Sequence, residues 1–191
     1  MRAAALVPLI AFAALAQDEE DPFAKARSIE ACRKIYAAEG QGLGAAGMRF
    51  VSAQFSECTK RVMNVEVDRV LVPLKKSNAE KFKSGMAMQK SFNEAVQRYC
   101  GRWSKYYEKC CSTCSFNEQP ECEADFHAAR VKSSKETLPE AAKVSEAVAR
   151  EFTDFANAFC AFAERKDDCP ARVLTLISAT QRDDGRALSC R

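Results

Sequence analysis

Apolar residues recur along this chain at steps of three and four, the spacing that gives a helix one greasy face. The clearest stripes are Met48, Val51, Phe55, Cys58, Val62 and Val65, then Phe92, Val96, Tyr99, Trp103, Tyr106 and Cys110. A third, the most aromatic, is Val144, Val148, Phe152, Phe155, Phe159 and Phe162. Each predicts an amphipathic helix that buries its stripe against neighbours. Ile29, Cys32 and Tyr36 mark an earlier helix, entered at Asp21-Pro22 and stopped at Gly40, with the glycine-rich QGLGAAG as the following turn. The helix carrying Phe92 is expected from a cap near Ser77-Asn78 to about Cys111, followed by a loop over residues 112–120 and a shorter helix over 121–134. Thr137-Leu138-Pro139 marks the start of the phenylalanine-rich helix. Cys169-Pro170 opens a last one that buries Val173, Leu174 and Ile177. The nearest thing to a strand, VEVDRVLVPL at 65–74, reads as a connector or frayed helix end stopped by Pro73. The expected fold class is all-α, a disulfide-stapled helical bundle of five to six helices.

The first residues change the picture by adding a compartment. MRAAALVPLIAFAALAQ has a cation at Arg2, an apolar run, and small residues at Ala14 and Ala16. That pattern predicts an export signal over residues 1–16, with a mature chain from Gln17. The run falls short of the roughly 20 residues a bilayer-spanning helix needs, and no later segment is apolar enough, so no membrane span is expected. Residues 17–191 then form a single helical cysteine-rich domain. The expected location is secreted or extracellular, or the periplasm in a bacterium. In such surroundings Cys32, Cys58, Cys100, Cys110, Cys111, Cys114, Cys122, Cys160, Cys169 and Cys190 are expected as disulfides. One pairing is legible. Cys32 and Cys58 lie almost equally far from the turn near Ala45, so an antiparallel hairpin sets them at one level.

Net charge is only +3, which hides a segmental bias. Residues 59–109 hold 12 Lys/Arg against 5 Asp/Glu, and residues 110–160 hold 5 against 9. No nucleic-acid partner is indicated by so balanced a chain. Within the basic segment, Arg98, Arg102, Lys105 and Lys109 follow steps of four, three and four, a row fitted to an anionic partner.

Candidate chemistry is sparse. Cys111-Ser-Thr-Cys114 has the bare C-x-x-C of thiol oxidoreductases, but it ends a helix. The carbonyl end of the dipole there disfavours the thiolate that such sites need. His127 is the only histidine, and no nucleophile or orienting-acid motif accompanies it. Glu121, Glu123 and Asp125, and the pair Asp167 and Asp168, read as cap and loop charges. No catalytic residue, cofactor site or metal site is therefore expected, and the reading is of a non-enzymatic binding or interaction protein. The alternatives are a carrier of a small hydrophobic ligand or lipid, lined by Trp103, Tyr106, Phe152, Phe155 and Phe159, and a secreted hydrolase whose site forms only in space. Cys160-x8-Cys169-Pro170 is similar to a late cysteine pair of insect odorant-binding proteins, and Cys110-x3-Cys114 resembles their earlier pair. The cysteine that this family carries shortly before the late pair is absent here. The adjacent Cys110 and Cys111 resemble the paired cysteines of plant lipid-transfer proteins, without the C-x-C that follows in them. Both resemblances are fragments that point towards the carrier, and neither assigns a family. A partner protein, a glycan and a small hydrophobic ligand remain open as what is bound.

Overall fold

Two caps compete in the N-terminal segment, and both win. In the computed structural model, residues 21–110, 115–135, 137–165 and 168–180 are described, and they form seven helices and no strand. Asp21 accepts from the Phe23 N–H at 2.9 Å and opens α1 (Pro22–Lys25). Ser28 accepts from the Ala31 N–H at 3.1 Å and opens α2 (Ile29–Glu39), so the single expected helix is split. Arg61 donates to the carbonyls of Phe23 and Ala26 and so satisfies the end of α1.

The next helix, α3 (Ala45–Ser77), runs straight through the segment read as a connector, with Pro73 inside it. A proline removes only its own backward bond and crowds the preceding turn. Four residues from the end, that costs little, and buried Leu71 holds the last turns down. Asn78 then caps α4 (Ala79–Cys110) by accepting from the Lys81 N–H at 2.9 Å, where a cap was expected. α5 (Ser115–Lys135) starts six residues before the expected position and contains Pro120. Contacts pin its added first turn, since Arg49 lies 3.5 Å over the Phe116 ring and Trp103 Nε1 donates to Glu118 at 3.3 Å.

Residues 137–145 are an irregular strap instead of a helix start. Side chains of α7 (Cys169–Thr180) stitch it down: Arg172 donates to the carbonyls of Leu138 at 2.6 Å and Pro139 at 2.8 Å, and Thr175 accepts from Ala142 at 3.0 Å. With the strap so held, α6 (Glu146–Phe162) begins later, where Ser145 accepts from the Val148 N–H.

α3 lies against α2, α4 and α5, while α6 is packed between α4 and α7. Two apolar clusters result. The small one joins Phe23, Cys32, Val51, Phe55 and Val62, with Tyr36 stacked on Phe55 at 4.6 Å between centroids. The large one centres on four phenylalanines: Phe126 stacks on Phe152 at 4.6 Å, and Phe92 meets Phe155 edge-on at 4.9 Å. α3 serves both, so its buried stripe shifts from Val51, Phe55 and Val62 to Met63, Val67 and Leu71, leaving Val65 exposed. Gly85 on α4 lets Leu71 of α3 and Phe162 of α6 close over it, where a Cβ would overlap both side chains.

Three disulfides each join consecutive helices: Cys32–Cys58 ties α2 to α3, Cys100–Cys122 ties α4 to α5, and Cys160–Cys169 ties α6 to α7. The first is the pairing that the hairpin geometry predicted. Loops of this size contribute on the order of 3 kcal/mol each. Cys110, Cys111, Cys114 and Cys190 lie outside the described side chains, as do residues 1–16 of the expected signal.

Candidate functional site

Where α3, α4, α5 and α6 converge, they leave a cleft of about 180 Å³. Val67 and Leu71, Met88, Phe159 and Phe162 supply apolar walls, and Arg130 of α5 supplies the single buried cation. Arg130 is only 4% exposed. Its Nε donates to Gln89 Oε1 at 3.1 Å, and its Nη1 donates to Ser134 Oγ at 2.6 Å and Ser133 Oγ at 3.4 Å. All three partners are neutral. Nη2 has no hydrogen-bond partner, and no carboxylate pairs with the guanidinium, among the described residues. Burial pushes its pKa down to about 10, which still leaves it a cation at neutral pH. The rings of Phe155 and Phe159, 5.5 and 5.6 Å from the guanidinium carbon, give that charge partial compensation. Arg165 stands at the rim, 5.6 Å from the Phe159 ring centre.

Sequence reasoning missed Arg130, and a signal was there. It stands four residues after buried Phe126, on the inward face of α5, where the period calls for an apolar side chain. A second, more open cleft of about 220 Å³ lies beside Phe23, Phe50, Cys58 and Arg61.

The expected basic row divides. Arg98 Nε and Arg102 Nη1 grip the two oxygens of Glu151 on α6, at 2.8 and 2.5 Å. Glu151 is 8% exposed. Desolvation pushes its carboxyl up, but the hydrogen bonds and charges of the two arginines outweigh that and hold it below the usual range. Two of the four cations therefore serve an internal clasp between α4 and α6. Lys105 is exposed, and the Lys109 side chain lies outside the described residues.

The expected aromatic lining also divides. Phe152 and Phe155 are spent on ring contacts in the core, and of the four whose side chains are described only Phe159 reaches the cleft. Trp103 is half-buried beside Glu118, away from the cleft, and the Tyr106 side chain lies outside the described residues.

His127 is buried between α3 and α5, its Nδ1 3.0 Å from Thr59 Oγ1. That hydroxyl donates to the Ser56 carbonyl at 2.9 Å, so it accepts from Nδ1–H, which fixes the tautomer of a neutral imidazole. Burial, helped by Lys60, lowers its pKa to about 4. The acidic residues of α5 are likewise engaged. Glu121 accepts from the Tyr36 hydroxyl, Glu123 accepts from Ser56 at 2.9 Å, and Asp125 pairs with Arg33 at 3.1 Å. Burial, then the bond to Glu121, raises the Tyr36 pKa to about 12. Among the described residues no group of three His, Cys, Asp or Glu side chains is placed to hold a metal ion. No described helix is long and apolar enough to cross a membrane. Compared with protein-family models, curated proteins and solved structures, the chain matches none.

Proposed function

We propose that this chain is an exported, non-catalytic binding protein whose helices are braced by disulfides for life outside the cytosol. The observation that carries this reading is the pairing of all six cysteines whose side chains are described, each pair clamping two consecutive helices. Reducing compartments leave such pairs open. The N-terminal pattern around Arg2, Ala14 and Ala16 supports export. The engagement of His127, Glu121 and Glu123 in helix–helix hydrogen bonds supports a structural use for the groups that acid–base chemistry would need. The test is fractionation of cells producing the whole chain, with N-terminal sequencing and thiol titration. Protein that starts at Gln17, lies outside the cytosol and has no titratable thiol agrees with the reading. Cytosolic protein with several free thiols overturns it.

Between a surface that docks a macromolecule and a carrier of a small ligand, one observation favours the carrier. It is the cleft at Arg130, which joins apolar walls to a buried polar head and, at about 180 Å³, is sized for a ligand smaller than those of ordinary small-molecule pockets.

A further inference from the structure

Burying a guanidinium without a carboxylate is expensive, and neutral hydrogen bonds offset only part of the cost. Elsewhere this protein spends arginines differently: Arg98 and Arg102 share Glu151, Arg33 takes Asp125, and Arg69 takes Glu66. Among the described residues Arg27, Arg49, Arg61 and Arg165 also lack a carboxylate, but all four are exposed, whereas Arg130 is buried and is among the most buried charges described. Its Nε and Nη1 are held by Gln89, Ser133 and Ser134, which fixes the plane of the fork and leaves the Nη2 edge uncommitted. An orientation fixed in advance for an absent anion is what a binding site requires. The space next to it is apolar, from Val67 and Leu71 to Phe159 and Phe162, so the anion must carry a hydrocarbon part. Size bounds that part. An engineered cavity of about 150 Å³ takes a benzene ring, so a cleft of about 180 Å³ takes a short alkyl chain or one ring, with the excess leaving through the open side.

We propose that the α3–α6 cleft binds a small apolar carboxylate, its anionic head on Arg130 and its hydrocarbon tail between Leu71, Met88, Phe159 and Phe162. A planar carboxylate matches the guanidinium fork, and Arg165 at the rim adds a second positive charge along the way in. This rests on the carrier reading and adds the ligand class to it. Ser133 and Ser134 act as positioning residues that hold the fork.

The experiment is calorimetric titration of the oxidised full-length protein at about 0.15 M salt with hexanoate, 1-hexanol and acetate. Hexanoate is expected to bind at least about tenfold more tightly than either, because a charge-assisted hydrogen bond and the tail must act together. In Arg130→Met, hexanoate affinity should fall to that of 1-hexanol while the melting temperature holds or rises, since an unpaired buried charge is gone. Val70→Trp fills the cleft mouth from an exposed position and should abolish binding of hexanoate and 1-hexanol alike, so the proposal stays testable if the Arg130 variant fails to fold. Equal affinity for hexanoate and 1-hexanol, or for hexanoate and acetate, overturns the carboxylate proposal and leaves a carrier standing. Hexanoate binding that survives Val70→Trp places the ligand elsewhere and overturns it too. Absence of binding by all three probes at millimolar concentration overturns the carrier reading with it.

Discussion

The contact between α4 and α6 and the contact between α3 and α5 solve one packing problem with opposite materials. Rings fill the first: Phe92, Phe152 and Phe155 are all at most 1% exposed and meet face or edge. Hydroxyls face charged and polar heads across the second. Ser52 meets Tyr36 and through it Glu121, Ser56 meets Glu123, and Thr59 meets His127, while Ser52, Ser56 and Thr59 are themselves almost fully buried. Apolar contact supplies energy without direction, so the rings alone tolerate small shifts of α6 on α4, and the clasp of Arg98 and Arg102 on Glu151 supplies the directional bonds this interface has. The polar seam has a register. Its members follow steps of four and three along α3, so sliding α5 by one turn would break the bonds of Tyr36 to Glu121, Ser56 to Glu123 and His127 to Thr59 together. The comparison teaches that α4 and α6 hold chiefly by rings, with one ionic clasp to orient them, while α3 and α5 are aligned by a row of hydrogen bonds.

The largest way to break this contrast is Phe152→Ala. It removes a ring fully enclosed by Phe92, Tyr99 and Phe126 and should cost about 4 kcal/mol in denaturant unfolding. Acid attacks the other side. The unfolded chain protonates His127 near its ordinary pKa of 6.5, whereas the folded chain refuses the proton until about 4. The unfolded state therefore binds more protons between those values, and stability falls as pH drops through that window, by roughly 3 kcal/mol in all. His127→Gln should flatten the curve there, and an unchanged slope would remove His127 as its cause. A smaller effect sits in the Glu151 clasp. Glu151→Gln should cost about 2 kcal/mol at neutral pH, because two charge-assisted bonds weaken, and less below the usual carboxylate range, where Glu151 itself becomes protonated. The smallest is Ser56→Ala, about 1 kcal/mol for one hydrogen bond, read in the same unfolding experiment.

Legibility in the sequence follows the same division. The ring-packed interface was visible because rings and aliphatics repeat with the helical period: Val148, Phe152, Phe155 and Phe159 are all buried as the stripe implies. The Asn78 cap and the Cys32–Cys58 bridge followed from local spacing. α5 was only partly visible, because its buried face carries Ala124, His127, Ala128, Arg130 and Ser133 among few large apolar side chains. Such a face has almost no hydrophobic asymmetry to detect. Prolines misled for a related reason. Pro73 and Pro120 sit in helices whose other residues are anchored by tertiary contacts, and Pro139 lies within a strap that Arg172 holds from 33 residues away. For the candidate site, single residues were named correctly as polar or aromatic, but their partners across space were not readable. Arg98 and Arg102 found an acid on another helix, and Arg130 found none among the described residues.

The three described bridges span 26, 22 and 9 residues, and none encloses another. A polypeptide emerging from a narrow opening, amino end first, would meet each of these sulfur partners soon after the one before it. The Cys32–Cys58 clamp can close before Cys100 has come out, and the Cys160–Cys169 clamp waits for nothing upstream. Oxidative maturation is thus a short-range event for Cys32–Cys58 and for Cys160–Cys169, with no other thiol between the partners. Cys100, by contrast, meets Cys110, Cys111 and Cys114 before Cys122, so that bridge is where wrong partners and reshuffling arise.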